Sequence, residues 1–368
     1  MLHRVADPER GRRAVGVVLF VLGCLGGGAL LQLLFLLPPL FAPDPAAQYA
    51  ALGVAVALAF PAVALYSTVP RLLDRYDPEP FWALLMVFTW GAVAACGFSA
   101  VVNTVVGALL GEQAAAVLSA PIIEEFFKGL SLLGMFYLWR REFDGVVDGI
   151  IYGTFAALGF AAVENVVYYS KAGVESVEAL TATVVLRGVV TPWAHPLFTS
   201  MTGIGFGLAR ESSRGWVRAL APLGGYLAAV ALHMTWNGAL VLSTTMQVPL
   251  AVLLLPLWLL FVVAFLVMVM ALVARRGRII RENLQDEVIL GTITAEEFQL
   301  VGSAFGMLRA RMGPRGEVRA ALIAAAARLA LAKWHATRAL RGRQATVSFD
   351  FIVPLRERIA TLRATLRP

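Results

Sequence analysis

The sequence predicts an all-α polytopic membrane bundle of about eight transmembrane helices. Three observations carry that expectation: 59% of the 368 residues are apolar, the mean hydropathy is +0.75, and long apolar runs recur through the first three quarters of the chain. A helix needs roughly 20 apolar residues to cross ~30 Å of hydrocarbon. Runs of that length fall at about 14–37, 49–69, 81–106, 115–138, 146–169, 182–208, 219–243 and 248–273. Such a composition excludes a soluble protein of the same length.

Orientation follows from the basic residues of the short connections. Arg4, Arg10, Arg12 and Arg13 precede the first run, and Arg71 with Arg75, Arg140 with Arg141, Arg210 with Arg214 and Arg218, and Arg275 with Arg276 and Arg278 follow the even-numbered ones. All fall on one side, so both termini are expected in the cytoplasm. The opposite loops hold Lys171 beside Asp44, Glu112, Glu175 and Glu178. The first run is too long for the apolar part of a signal peptide and reads as an uncleaved helix. The expected division is a short cytoplasmic amino terminus (1–13), a membrane domain (14–274) and a basic, helical cytoplasmic tail (275–368).

That tail holds 17 basic and 8 acidic side chains, so it carries +9 of a net +7 and leaves −2 for the remainder. Basic charge beside a cytoplasmic helix end points to anionic lipid before nucleic acid, and no nucleic acid partner is expected. Within it, Gly291 is a helix stop, Thr294 to Glu297 is a capping box, an Ala-rich helix covers about 317–341, and the last residues are expected to be partly disordered. Cys24 and Cys96 both lie in apolar runs, which leaves no disulfide framework or cysteine metal motif.

The first two helices are without chemistry. The connection Asp74 to Pro80, dense in charge and proline, reads as a rigid turn. The fourth run is different, because Glu124, Glu125 and Lys128 sit inside hydrocarbon, where an unpaired charge costs at least roughly 2.5–3.5 kcal/mol. Glu124 and Lys128, four residues apart, share a face, so one carboxylate is expected on Lys128 while the other points elsewhere. Asp144 and Asp148 suit the amino terminus of the fifth helix, which continues to Glu164 and Asn165. The sixth contains Arg187 near its outer end and His195 in a stretch kinked by Pro192 and Pro196; Gly203, Gly205 and Gly207 after it read as close helix packing. The seventh carries His233 and Asn237, and the eighth is an apolar anchor.

Counting residues from the membrane surface gives Glu124 and His233 the same depth, ~15 Å. Two histidines and a glutamate form a ligand set for catalytic zinc, with a further glutamate free as general base; His195, His233 and Glu164 are the candidate ligands. Without metal, a glutamate and a histidine can activate water, with Asn237 or the second histidine stabilising the oxyanion. Both remain open, and membrane carboxylates with histidine also build the proton paths of transporters and channels. Against that alternative, the chain shows no internal repeat and its polar groups cluster in helices four to seven.

The series EEFFK at 124–128, FAAVEN at 160–165, HPLFT at 195–199 and HMTWN at 233–237, with DRYDPEP at 74–80, resembles the PrsW family of intramembrane proteases, over about residues 70–245. That family is similar to the clan of CAAX-prenyl and bacteriocin-processing proteases. The resemblance implies an active site of Glu124, Glu125, Glu164, His195 and His233, with Asn237 nearby. It also implies a membrane-associated polypeptide substrate, an anti-sigma factor among the possibilities, and a place in the bacterial cell membrane.

Overall fold

The computed structural model describes residues 8–73, 78–246, 249–303, 305–341 and 348–366, and among them every regular element is helical. Six helices are long and apolar enough to cross a membrane: Gly11–Phe41, Pro45–Arg71, Phe81–Leu110, Val146–Glu175, Gly215–Met246 and Trp258–Ile289. The other two expected runs are helical but interrupted. Residues 115–138 begin with a π-helical turn, Ala115–Ser119, and continue as an α-helix. Residues 182–208 hold a π-helical turn, Val185–Val190, and a break at 191–193 before the chain becomes helical again at Ala194. The expected proline kink is thus a complete interruption. Pro196 then falls in the first turn of the new helix, where a missing N–H costs nothing.

The chain forms two compact units. The first comprises Met1–Pro70, Pro80–Arg210 and Arg218–Phe265, and the second Arg71–Glu79, Glu211–Val217 and Leu266–Pro368. The helices of the first unit are α1 (Pro8–Leu31), α2 (Pro45–Tyr66), α3 (Phe81–Leu110), α4 (Ala120–Leu138), α5 (Val146–Glu175), α6 (Val177–Val184), α7 (Ala194–Glu211) and α8 (Gly215–Met246), followed by the start of α9 (Leu250–Glu282). Asp74 to Asp77 of the charged connection lie outside the described residues; its end, Pro80, precedes α3 in an extended conformation.

The core of the first unit is α5. Every residue from Val146 to Ala162 is buried, and the helix packs against α2, α3, α4 and α6. Local chemistry sets its start: Asp148 accepts from the backbone N–H of Asp144 at 2.6 Å and of Gly145 at 3.1 Å, satisfying donors that a helix end leaves unpaired. Small residues let neighbours approach to backbone contact. A methyl group on Gly149 would stand 2.1 Å from the carbonyl oxygen of Gly203, and one on Gly159 would stand 2.0 Å from that of Phe88. Gly203, Gly205 and Gly207 are packing positions, as expected, the second of them against Ala221 and the third against Val146.

In the second unit, α10 (Gln285–Ile289), α11 (Ala295–Gly302), α12 (Gly306–Arg311), α13 (Gly316–Arg341) and α14 (Phe349–Leu366) follow α9. Gly291 takes a φ of +73°, and Thr294 and Glu297 form the expected capping box at 3.1 and 2.7 Å. Near the chain end, Phe349–Leu366 is helical, while 342–347 and 367–368 lie outside the described residues. Glu287, wholly buried, accepts from Lys333 of α13 at 2.9 Å and from Arg356 of α14 at 2.6 Å. The hydrogen bond to Glu287 raises the Arg356 guanidinium above its ordinary value. Ile359 is buried behind them, and Arg363 donates to the Gly291 carbonyl at 2.9 Å. A helix at 349–366 therefore has a partner for both its apolar and its basic residues.

The glycine contacts give a controlled test. We expect Gly159→Ala to destabilise the protein by about 1–3 kcal/mol, because the added methyl must displace backbone. Gly53→Ala, at a position with nothing within 4 Å, should instead stabilise by up to about 1 kcal/mol through helix propensity. Thermal unfolding in detergent reads both; equal shifts of the same sign would refute the close-packing account.

Candidate active site

Helix α4 brings the charged stretch into the bundle, and its partners come from α3, α5, the π turn after α6, α7 and α8. The most complete set of bonds surrounds Glu125. Its Oε1 accepts from Lys128 Nζ at 2.5 Å and lies 3.1 Å from His233 Nδ1, while its Oε2 accepts from Thr199 Oγ1 at 2.8 Å. Glu125 and Lys128 are both fully buried. The partner of Lys128 is therefore the residue three positions before it, and not Glu124. Positions three and four apart both lie on the neighbouring face of a helix, and the buried neighbours His233 and Thr199 decide between them.

Glu164 is the centre of a second set. Its Oε2 accepts from Arg187 Nη2 and lies 2.9 Å from His195 Nε2. Arg187 also donates from Nε to Asn165 Oδ1 at 2.8 Å, and its guanidinium carbon lies 4.0 Å from the centre of the Tyr168 ring. His195 joins the two sets, because its Nδ1 is 3.2 Å from Lys128 Nζ.

These contacts fix the imidazole protons. An ammonium can only donate, so His195 Nδ1 is the acceptor and its Nε2–H donates to Glu164. A carboxylate can only accept, so His233 donates from Nδ1 to Glu125 and leaves Nε2 bare. The two histidines are thus held in opposite tautomers, each by its own carboxylate, with ring centres 5.1 Å apart and nearly perpendicular. Phe198 stacks on His233 at 5.0 Å and Phe160 lies 5.4 Å from His195, closing the space with apolar surface.

Glu124 stands between them. Its Oε1 accepts from Asn103 Nδ2 at 3.3 Å, and Asn103 Oδ1 in turn accepts from Ser119 Oγ at 2.8 Å. Its Oε2 is buried with no hydrogen-bond partner and lies 3.9 Å from His233 Nε2. Ligand atoms of Glu124, His195 and His233 lie within 4.8 Å of one another. Glu164, expected as the third ligand, has the oxygen nearest the histidines committed to Arg187 and His195. The arrangement fits a metal ion: the free carboxylate oxygen and a bare imidazole nitrogen face each other, and each histidine donates its other N–H to a carboxylate, the pattern that orients metal-binding imidazoles. Lys128 shares His195 Nδ1 but lies closer to Glu125.

The structure thus brings together Glu124, Glu125, Glu164, His195 and His233, while Asn237, one helical turn beyond His233, donates its amide to the Ala116 carbonyl at 2.9 Å. Asn103, Ser119 and Thr199 are the polar neighbours that spacing did not single out for the site. Asn103 had a signal, as a lone amide inside an apolar run. Arg187 had one too, since a guanidinium in hydrocarbon needs a carboxylate.

An apolar bundle enclosing a largely buried cluster of glutamates, histidines and a lysine defines the class, a polytopic integral membrane protein with its polar site inside the helices. The chain belongs to the PrsW family of intramembrane metalloproteases, which matches residues 79–275. It is 35% identical over 152 residues to Protease PrsW of Geobacillus kaustophilus, covering 41% of this chain and 64% of that protein. Against Protease PrsW of Oceanobacillus iheyensis the identity is 30% over 152 residues, 41% of this chain and 66% of that one. Against Protease PrsW of Bacillus subtilis it is 31% over 155 residues, 42% and 67%. The chain spans about two thirds of the length of these relatives, and no solved structure matches it.

The Glu125–Lys128 pair makes a measurable claim. Lys128→Met leaves a buried carboxylate without its cation and should cost roughly 3–5 kcal/mol. Adding Glu125→Gln should recover more than half of that loss. A double variant no more stable than Lys128→Met, by thermal unfolding in detergent, would show that the two side chains do not depend on each other.

Proposed function

We propose that the protein is an intramembrane endopeptidase that hydrolyses a peptide bond of a membrane-associated polypeptide, an anti-sigma factor being one such substrate. The observation that carries this reading is Glu124 Oε2, a buried carboxylate oxygen with no hydrogen-bond partner, 3.9 Å from a bare histidine nitrogen. A folded protein leaves such an atom unsatisfied at a cost of roughly 1–3 kcal/mol or more for a charged group, so it marks a working position.

Glu125 and Glu164 are occupied in orienting His233 and His195, which leaves Glu124 to handle the proton. In the proposed reaction Glu124 accepts a proton from the attacking water and returns it to the leaving amine nitrogen, as a general base and then a general acid. Asn103 holds the other oxygen of Glu124 and so fixes the direction of the free one. His195 and His233 would hold the metal, which we assign as zinc, with the free Oε2 of Glu124 next to them kept for the proton. When bound, zinc supplies Lewis acidity and lowers the pKa of water towards neutrality. Phe160 and Phe198 keep bulk water from the histidines, so the charges act in a medium of low dielectric constant. Asn237, bonded to Ala116, stabilises that turn of the backbone in this reading and is not assigned to the oxyanion.

We place the protein in the bacterial plasma membrane with both termini in the cytoplasm, on the pattern of basic connections. The tail then faces anionic headgroups. Phe305, Leu308 and Met312 are exposed beside Arg309 and Arg311 on α12, a mixture of apolar and basic groups suited to a lipid interface. Amide exchange across 305–312 should slow in nanodiscs of phosphatidylglycerol relative to phosphatidylcholine; equal rates would remove the lipid assignment.

The proteolytic reading is tested with purified protein and a panel of single-span membrane substrates. Glu124→Gln should lower cleavage by about 10²–10⁴-fold while the protein stays folded. Zinc should copurify near one per chain, and His233→Ala should lose metal and activity together. Undiminished cleavage by Glu124→Gln would end the proposed role of that carboxylate. Full activity of metal-free protein in chelator would end the zinc assignment alone.

A further inference from the structure

We infer that Arg187 is a positioning residue for His195, acting through Glu164. The inference rests on the proteolytic reading for its kinetic measurement and on the geometry alone for the rest.

Arg187 is delivered by the π-helical turn Val185–Val190, whose other side chains point away from the bundle. Val185, Leu186, Val189 and Val190 are 40–66% exposed, whereas Arg187 is turned towards α5. The turn is held in place by three bonds to its carbonyls. Thr191 donates to Leu186 from both N and Oγ1 at 2.9 Å, and Tyr66 donates from its hydroxyl to Gly188 at 2.5 Å. A π turn inserts one extra residue into the helical count and so rotates the residues after it, and such turns recur at functional sites.

The guanidinium then makes more contacts than charge neutralisation requires. Within one turn of α5 it bonds Glu164, bonds Asn165 and lies over the Tyr168 ring. Together these fix the guanidinium plane, which a flexible ammonium would not achieve. The consequence is carried by a single atom. Glu164 Oε2 accepts from Arg187 and also from His195 Nε2, so the guanidinium holds that oxygen where the imidazole N–H meets it. With Nε2–H engaged, Nδ1 is the nitrogen that carries no proton, an acceptor for Lys128 presented to the side of Glu124. Partners of this kind, one bond removed from the reacting groups, alter activity or affinity by about 10–100-fold when lost.

The alternative is a purely structural ion pair tying the turn to α5. Three variants separate the two: Arg187→Met, Arg187→Lys and the charge exchange Glu164→Arg with Arg187→Glu. The first readout is the ¹⁵N shift of the imidazoles in chelator-treated protein, with His195 identified by the signal absent from His195→Gln. The parent should show His195 as the Nε2–H tautomer, and Arg187→Met should show a mixture. In cleavage, Arg187→Met should lower kcat by about 10–100-fold with KM changed less than about threefold, and Arg187→Lys should recover only part of it. The exchanged pair should regain thermal stability but not kcat, because a glutamate at 187 is not the acceptor beside His195. If Arg187→Met fails to fold, Arg187→Lys carries the same tautomer measurement. An unchanged His195 tautomer in the variants, or full recovery of kcat by the charge exchange, overturns the inference. Should the parent cleave nothing, the proteolytic reading fails and the tautomer result still decides this one.

Discussion

Three carboxylates meet two basic side chains in the polar cluster inside this helix bundle, and that inequality governs the site. Lys128 is bonded to Glu125 and Arg187 to Glu164. Each of these pairs also binds one histidine, so the two carboxylates are saturated and the two imidazoles are fixed. Glu124 is left with one weakly held oxygen and one free one. In a medium that stabilises isolated charge poorly, the remaining negative charge calls for a proton or a metal cation. The proposed chemistry is what that surplus can do.

The backbone makes the inequality possible by placing charges where regular helices would not. Ala115–Ser119 precedes α4 and supplies both Ser119, which reaches Asn103, and the Ala116 carbonyl that engages Asn237. Val185–Val190 presents Arg187, and the break at 191–193 restarts the chain so that His195 and Thr199, four residues apart, face α4 together. A third π turn, Trp90–Ala95, packs against α5, and from it Trp90 donates to the Phe127 carbonyl at 2.8 Å. Each of these three, out of four π turns among the described residues, lies next to the cluster or directly carries one of its members. The close backbone approach at Gly149 and Gly203 then brings α5 and α7 near enough for Glu164 and His195 to touch.

The second unit repeats the same physics at lower cost. Glu287 is buried, but its two cations, Lys333 and Arg356, keep part of their surface in solvent. All three groups are satisfied, with no surplus. Glu287 joins three segments of the tail, which is the role expected of a closed ion-pair network, in contrast to the open one in the first unit.

The sequence by itself determined that this is a helical membrane protein, because apolar runs of bilayer length recur whatever the packing. It also determined which residues are chemically unusual, since charge and histidine inside hydrocarbon require a reason. The family resemblance read from four motifs and the loop at 74–80 agrees with the match over residues 79–275. Pairing was beyond its reach. Glu124 and Glu125 are adjacent and equally acidic, and helical spacing favours Lys128 for the first; only the positions of His233 and Thr199, from two other helices, give Lys128 to the second. Asn237 and Asn103 likewise differ by what surrounds them, one meeting a carbonyl and the other the catalytic candidate. The tertiary structure decided these assignments because a buried polar atom is defined by its nearest partner; Lys128 and Glu125 are three residues apart, but the other partners lie between 16 and 121 residues away along the chain.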